Sequence, residues 1–410
     1  MTNKILQINV VANSGSTGKI TEKIGDMVIS QGWESYIVYG RWGRKSSSQL
    51  YYIGDKIESL AHGLISLFFD FHGRGSILST HKLISYINTL QPDIIHLHNI
   101  HGYYLNYKLL FKYLETLNIP VIWTLHDCWS YTGHCAYYTA SKCFKWQYDC
   151  NNCPNRWDYP KTLIDNSHNN YIRKKDSFTK IKNLTIVTVS EWLKNEVKRS
   201  FLSKYPIEKI SNGIDLNIFK PLTSDIKKKY NIENKFVILG VATQWVKRKG
   251  LDDFIKLSKI ISNDICIVLV GVTNKQKHRL PHNIIGISKT EDIEEMVKLY
   301  TTANVYISFS EEETFGMTII ESMACGTPAI VYDSTACKEL INDKVGYVVN
   351  VHDIESAYKH VIDIKSSGKE VFSNYCIEHV RKYYSDKITF SKYIDLYKKL
   401  INDNNNNRNL

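Results

Sequence analysis

Short apolar runs recur along this chain, each closed by Gly, Asn, Asp or Pro, with helically spaced apolar residues between them. Lys4–Val11, Ser35–Tyr39, Asp93–His98, Val121–Thr124 and Leu184–Val189 read as strands of a first half. A polar loop, Ala12–Gly18, follows the first of them and leads into a helix expected from about Lys19 to Gln31. A second series starts at Phe236–Val241 and continues with Ile265–Gly271, Asn304–Phe309 and Ala329–Tyr332. The runs are continuously apolar rather than alternating, as strands covered on both faces by helices must be. Two successive βα series predict an α/β chain of two Rossmann-like domains, each binding ligands at the carboxyl ends of its strands. The 410 residues suit two cores of roughly 200 each.

One unit of this pattern carries chemistry. Ser308-Phe-Ser-Glu-Glu-Glu-Thr-Phe-Gly-Met-Thr-Ile-Ile-Glu-Ser-Met-Ala-Cys-Gly-Thr-Pro328 reads as strand, loop, helix and stop before the next strand. Glu313 and Glu321, with seven residues between them, fall in the loop and on the helix. Carboxylates there can accept hydrogen bonds from the hydroxyls of a sugar and a ribose. The amides of Gly316 and Met317, at the helix start beside Phe315, suit a phosphate. Lys249, in Gln244-Trp-Val-Lys-Arg-Lys-Gly250 after the first strand of the second half, can neutralise a diphosphate leaving group. Asn13-Ser-Gly-Ser-Thr-Gly-Lys19 is not a Walker loop, since Asn13 and Ile20 stand where Gly and Ser or Thr are needed. It remains a Gly15/Gly18 turn opening a helix.

These residues resemble the Glu-x7-Glu motif of retaining glycosyltransferases of family 4, and the resemblance extends over nearly the whole chain. It implies a GT-B fold, with two Rossmann-like domains facing a cleft and a C-terminal helix crossing back to the first domain. The expected parts are an acceptor-side domain at 1–205, a nucleotide-sugar domain at 206–380, a crossover helix at 381–402 and a disordered tail at 403–410. The resemblance gives Glu313 to the donor sugar and Glu321 to the ribose, and implies a His126 contact with the donor sugar. It also brings the Gly15/Gly18 loop near acceptor and diphosphate. His98, at the neighbouring strand end, is a candidate for the acceptor side. The family's Arg-x4-Lys-Gly pattern departs here at Gln244, so Arg248 becomes the candidate second cation. No Asp-x-Asp occurs in the chain, so catalysis is expected to need no metal.

Cys135, Cys143, Cys150 and Cys153-Pro154 place four thiols within an insertion expected at 128–160, similar to a polysaccharide-associated subgroup of the family. In a reducing compartment such spacing favours structural zinc over disulfides, with free thiols a third possibility and Cys128 a substitute ligand. Cys266, Cys325, Cys337 and Cys376 look like core residues.

A formal charge of +11 admits nucleic acid, an anionic membrane surface or phosphorylated ligands. The lysines are scattered and no nucleic-acid module is visible, which argues against nucleic acid. No stretch approaches the ~20 apolar residues of a membrane span, and the first residues read as a strand rather than a signal peptide. The expected setting is therefore cytoplasmic and peripheral, at the inner face of the membrane. Ile57–Phe71 is semi-apolar and reads either as a core helix or as a shallow interfacial one. The leading expectation is transfer of a hexosyl group from a UDP- or GDP-type sugar to a lipid-linked oligosaccharide in surface polysaccharide assembly. A nucleotide-sugar epimerase and a catalytically silent sugar-nucleotide-binding subunit are the alternatives.

Overall fold

The computed structural model describes residues 2–408. The chain divides into a first unit, up to Ser211 together with the residues from Thr389 on, and a second unit, Asn212–Ile388. In the first, strands β1 (Lys4–Asn9), β2 (Glu34–Tyr39), β3 (Gln49–Tyr52), β4 (Ile94–Leu97), β5 (Val121–Leu125), β6 (Leu184–Thr188) and β7 (Ile207–Lys209) form one sheet. Its order is β3-β2-β1-β4-β5-β6-β7, and every pairing is parallel. The second unit holds β8 (Phe236–Val241), β9 (Ile265–Val270), β10 (Ile284–Ile287), β11 (Val305–Ser308), β12 (Ala329–Tyr332) and β13 (Gly346–Val349). They lie in the order β10-β9-β8-β11-β12-β13, again all parallel.

Both units are thus Rossmann-like, and each sheet reverses its strand order beside its first strand. In such sheets the crevice at the reversal binds ligands. The reversal lies between β1 and β4 in the first unit and between β8 and β11 in the second. The loops after those strands contain Gly15, His98, Lys249 and Glu313.

The strands missed by pattern are β3, β7, β10 and β13. All are edge strands of three or four residues, and β10 and β13 each carry a glycine. β7 moves the division of the chain from the expected 205/206 to 211/212, because Ile207–Lys209 pairs with β6 of the first sheet.

Helix α1 (Gly15–Ser30) starts a turn earlier than expected, inside the Gly15/Gly18 loop. Gly18 sits against that loop so closely that a Cβ there would lie 3.0 Å from Val11 Cγ2. The expected crossover helix at 381–402 is in fact interrupted: one helix ends at Tyr384, and the last helix runs Asp386–Arg408. Residues 403–408, expected to be disordered, are its final turns, and 409–410 lie outside the described residues. Phe390, Tyr393, Ile394, Leu396 and Tyr397 of this helix join Ile5, Ile24, Ile94, Ile122 and Val187 in the core of the first unit.

Helix α2 (Lys56–Phe69) inverts the usual pattern, because His62 and Ser66 are its buried residues. His62 accepts the Gly73 amide at Nε2 (2.9 Å) and faces Ser76 Oγ through Nδ1 (2.9 Å). Burial pushes this imidazole down to about 4, so it stays neutral. Ile57, Leu60, Ala61, Leu64 and Phe68, a helical stripe, lie on the exposed side, with Ile57 80% and Leu60 68% exposed. α2 is therefore not a core helix.

Candidate active site

In the second unit the lysine and the first acid meet. Lys247–Lys249 forms a single 3-10 turn, ended by Gly250 at φ 75°. A Cβ at Gly250 would fall 2.3 Å from the Phe309 carbonyl oxygen, so only glycine lets this turn lie on the loop after β11. The two loops are tied by the Glu311 amide donating to the Arg248 carbonyl (2.8 Å) and by Arg248 Nη1 donating to the Glu312 carbonyl (2.9 Å). Lys249 Nζ then forms an ion pair with Glu313 Oε1. Burial pushes the Glu313 carboxyl up, but Lys249 and Arg248 outweigh it and hold it below the ordinary carboxylate range. Thr335 Oγ1 fixes the backbone here by accepting the Glu313 amide (3.0 Å).

The Met317–Ala324 helix starts directly after this loop. Its cap residue, Gly316, has φ 105° and no side chain to offer the first-turn amides. Phe315 is buried and meets Tyr384 edge-on at 5.8 Å. Glu321, about one turn along, accepts from the fully buried Tyr300 hydroxyl (2.8 Å). The residues expected from sequence, Glu313, Glu321, Lys249, Arg248, Phe315, Gly316 and Met317, lie on these loops and this helix, and the structure adds Thr335 and Tyr300 as their contacts. Those two come from distant segments, with no motif of their own.

In the first unit the strand-end histidines form a relay. Gln7 donates its Nε2 to the Thr21 carbonyl (2.9 Å), so its Oε1 accepts from His98 Nε2 (3.1 Å). His98 Nδ1 is then an acceptor and takes the Nε2–H of His126 at 3.1 Å, the rings stacked 18° apart. This leaves Nδ1 of neutral His126 as its lone-pair nitrogen. Burial drives His98 well below the usual imidazole range and His126 down to about 4. Neither carries charge at neutral pH. Behind them His96 contacts Tyr397 OH (2.6 Å) and Thr124 Oγ1 (2.7 Å), and Thr124 contacts Tyr393 OH (3.1 Å). Gly15, at φ 59°, and Gly18 lie at the start of α1, beyond β1 of the same sheet. The predicted residues therefore fall in two groups: Gly15, Gly18, His98 and His126 in the first unit, the two acids and two cations in the second.

Among known proteins, residues 21–218 match the domain described as Glycosyltransferase Family 4, and residues 223–383 match Glycosyl transferases group 1. A putative colanic acid biosynthesis glycosyl transferase, WcaC of Escherichia coli K12, is 23% identical over 97% of this chain and 100% of its own length. Sucrose-phosphate synthase from Thermosynechococcus elongatus superposes with a TM-score of 0.70 at 16% identity, covering 98% of this chain and 100% of that one. Anabaena HepE in complex with UDP-glucose gives 0.67 at 12% identity, covering 97% and 99%. The chain is a glycosyltransferase of GT-B architecture, built from a family 4 N-terminal domain and a group 1 C-terminal domain.

Proposed function

We propose that this glycosyltransferase moves a hexosyl group, with retention, from a UDP- or GDP-type sugar to a lipid-linked oligosaccharide in surface polysaccharide assembly. The observation that carries the reading is the Lys249–Glu313 ion pair at the strand reversal of the second unit, beside an uncapped helix start. Without donor, the two charges neutralise each other. With donor, Lys249 and Arg248 turn to the diphosphate, Glu313 accepts a sugar hydroxyl, and the Gly316 and Met317 amides hold a phosphate. Glu321 accepts from the ribose hydroxyls while keeping Tyr300 as its anchor. As the glycosidic bond breaks, negative charge grows on the leaving phosphate, where the two cations and the helix start stabilise it. These groups supply the positive charge, so no divalent metal is assigned to the reaction. The leaving phosphate takes the acceptor hydroxyl's proton on the same face, which retains configuration. His126 is assigned a contact to the sugar through Nδ1, and His98 fixes its ring.

The polysaccharide assignment draws on WcaC, and the donor class on HepE with UDP-glucose. The acceptor assignment rests on α2. Its exposed stripe continues into Leu78, whose amide is held by Glu58 (2.8 Å), and into Leu163 and Ile164, since the Leu163 amide donates to the Leu67 carbonyl (2.7 Å). Lys56, Lys161 and the half-exposed Trp157 border it. Such a patch on a chain of net charge +11 suits shallow burial in an anionic leaflet, at the inner face of the cytoplasmic membrane. No helix among the described residues is long and apolar enough to cross a membrane.

The test is a panel of UDP- and GDP-sugars, with and without lipid-linked acceptor, read by product anomeric configuration. Transfer that requires acceptor and keeps the α-configuration supports the reading. Sugar released or epimerised equally without acceptor, or no turnover with any donor, defeats it. Leu60→Asp with Leu64→Asp should abolish salt-sensitive binding to anionic vesicles while leaving transfer to a soluble acceptor intact.

A further inference from the structure

Residues 132–167 of the first unit hold a second concentration of chemistry, apart from the strand-end histidines. Cys135, Cys143, Cys150 and Cys153 line one small cavity together with His134 and Trp146. Its free room, about 10 Å³, is that of a single ion or water and excludes an organic ligand. All of these cysteines are free thiols.

The donors differ in how they are set. Cys150 Sγ accepts the Gly133 amide (3.2 Å), and Cys153 Sγ accepts the Asn155 amide. Amides aimed at sulfur favour thiolate, the form that binds metal. Gly133 is required for this approach, because a Cβ there would lie 2.7 Å from Cys150 Cβ. The Cys135 thiol donates to Cys153. Cys143, half-buried at the cavity rim, shows no such tie among the described residues.

His134 supplies an independent sign. It is 98% buried, being 2% exposed, and Asp70 Oδ1 holds its Nδ1 at 2.6 Å. Asp70 is itself fixed, since its Oδ2 also accepts the Asn166 amide (3.1 Å). With Nδ1 donating to Asp70 in the neutral ring, Nε2 presents its lone pair, and it has no hydrogen-bond partner among the described residues. A carboxylate fixing one nitrogen while the other is free is how metal-binding histidines are held. Charge agrees as well. Lys174 is buried, its Nζ bonded to the Trp129 (2.7 Å) and Thr132 (3.0 Å) carbonyls, with no carboxylate at ion-pair distance among the described residues. Burial pushes its ammonium down to about 7, and the charges that oppose this are Asp70 first, then Cys150 and Cys135.

We propose that this pocket binds one structural zinc ion through the thiolates of Cys135, Cys150 and Cys153 and the Nε2 of His134. Three thiols release three protons to solvent, and the resulting complex carries one negative charge, which lies beside Lys174. This departs from the four-thiol set expected from spacing by replacing Cys143 with His134. Among the described residues no three donors already stand as a ligand set, so binding draws the Cys135 thiol off Cys153 and turns the side chains inward.

The experiment is elemental analysis of the full chain purified under reducing conditions, followed by cobalt(II) replacement. About one zinc per chain is expected, and cobalt should give the strong visible bands of a tetrahedral site with thiolate charge transfer of three-sulfur intensity. Cys153→Ser and His134→Gln should each lower zinc occupancy at least tenfold, and Cys143→Ser should keep it. Since the first two variants can also fail to fold, the cobalt spectrum of the unaltered chain stands as the independent reading. Zinc-free reduced protein whose melting temperature ignores added zinc would overturn the site, as would a Cys135–Cys153 disulfide found by mass mapping. Four-sulfur intensity, with Cys143→Ser losing the ion and His134→Gln keeping it, would overturn the ligand set.

Discussion

Glu313 and His98 both follow strands at a sheet reversal, with His126 after the next strand, yet the two groups are assembled in opposite ways. The second unit builds its group mainly from two short stretches, 244–250 and 308–321, that follow adjacent strands, with Tyr300 and Thr335 supporting it from outside them. The first unit draws on Gln7, Thr21, His98, Thr124, His126, Tyr393 and Tyr397, spread over almost the entire chain. A group made from contiguous residues can lose its chemistry without losing its fold. A group made from distant ones cannot be altered without touching stability.

The largest expected effect comes from deleting residues 389–410. The first unit then loses Phe390, Tyr393, Ile394, Leu396 and Tyr397 from its core, at several kcal/mol for each large side chain. Protease mapping should find the first unit digested and Asn212–Ile388 protected. Equal digestion of both units would break the contrast. Next, Glu313→Ala and Lys249→Ala should each lower kcat by at least ~10²-fold with melting temperature nearly unchanged. Near-normal turnover in folded Glu313→Ala enzyme would remove the acid from the site. Glu321→Ala should act mainly on donor affinity.

Acid should separate the units too. Burial leaves His62, His72, His96, His98 and His126 binding protons less tightly folded than unfolded. Below about pH 6.5 the unfolded state takes up more protons, so first-unit stability falls toward pH 4, by up to ~1.4 kcal/mol per pH unit for each histidine. In the second unit His379 is likewise lowered. Glu313 has a lowered carboxyl, so its contribution persists above the unfolded carboxylate value and is lost only as pH falls through the folded one. Hydrogen exchange at stepped pH, corrected for intrinsic rates, should show the first unit opening at higher pH. Simultaneous opening would count against the assignment. The smallest effect is Tyr397→Phe, about 1 kcal/mol from the lost hydrogen bond to His96.

The same contrast explains what the sequence made legible. Glu313, Gly316 and Glu321 could be placed because strand, loop and helix follow one another without interruption. Tyr300 beneath Glu321 and the Tyr393–Thr124 contact join residues far apart, and hydrophobic periodicity carries no information about such pairs. The outward apolar stripe of α2 was half legible: composition marked Ile57–Phe71 as unusual, but which side is buried depends on His62 meeting Gly73 and Ser76. The Cys-rich segment showed its thiols by spacing, whereas His134 became a candidate only through Asp70.

The last helix also sets an order of events during synthesis. Ile5 and Ile24 wait for partners, within residues 390–397, that leave the ribosome only after the whole second unit. At roughly 5–20 residues per second, on the order of ten seconds or more passes while Asn212–Ile388 is made in between. The second unit can close as it emerges, but the first must hold a parallel sheet with one flank of its core bare until the residues after Ile388 appear. The nascent chain is therefore most exposed to aggregation and chaperone capture through its first unit, and the residues from Thr389 on are those that end that exposure.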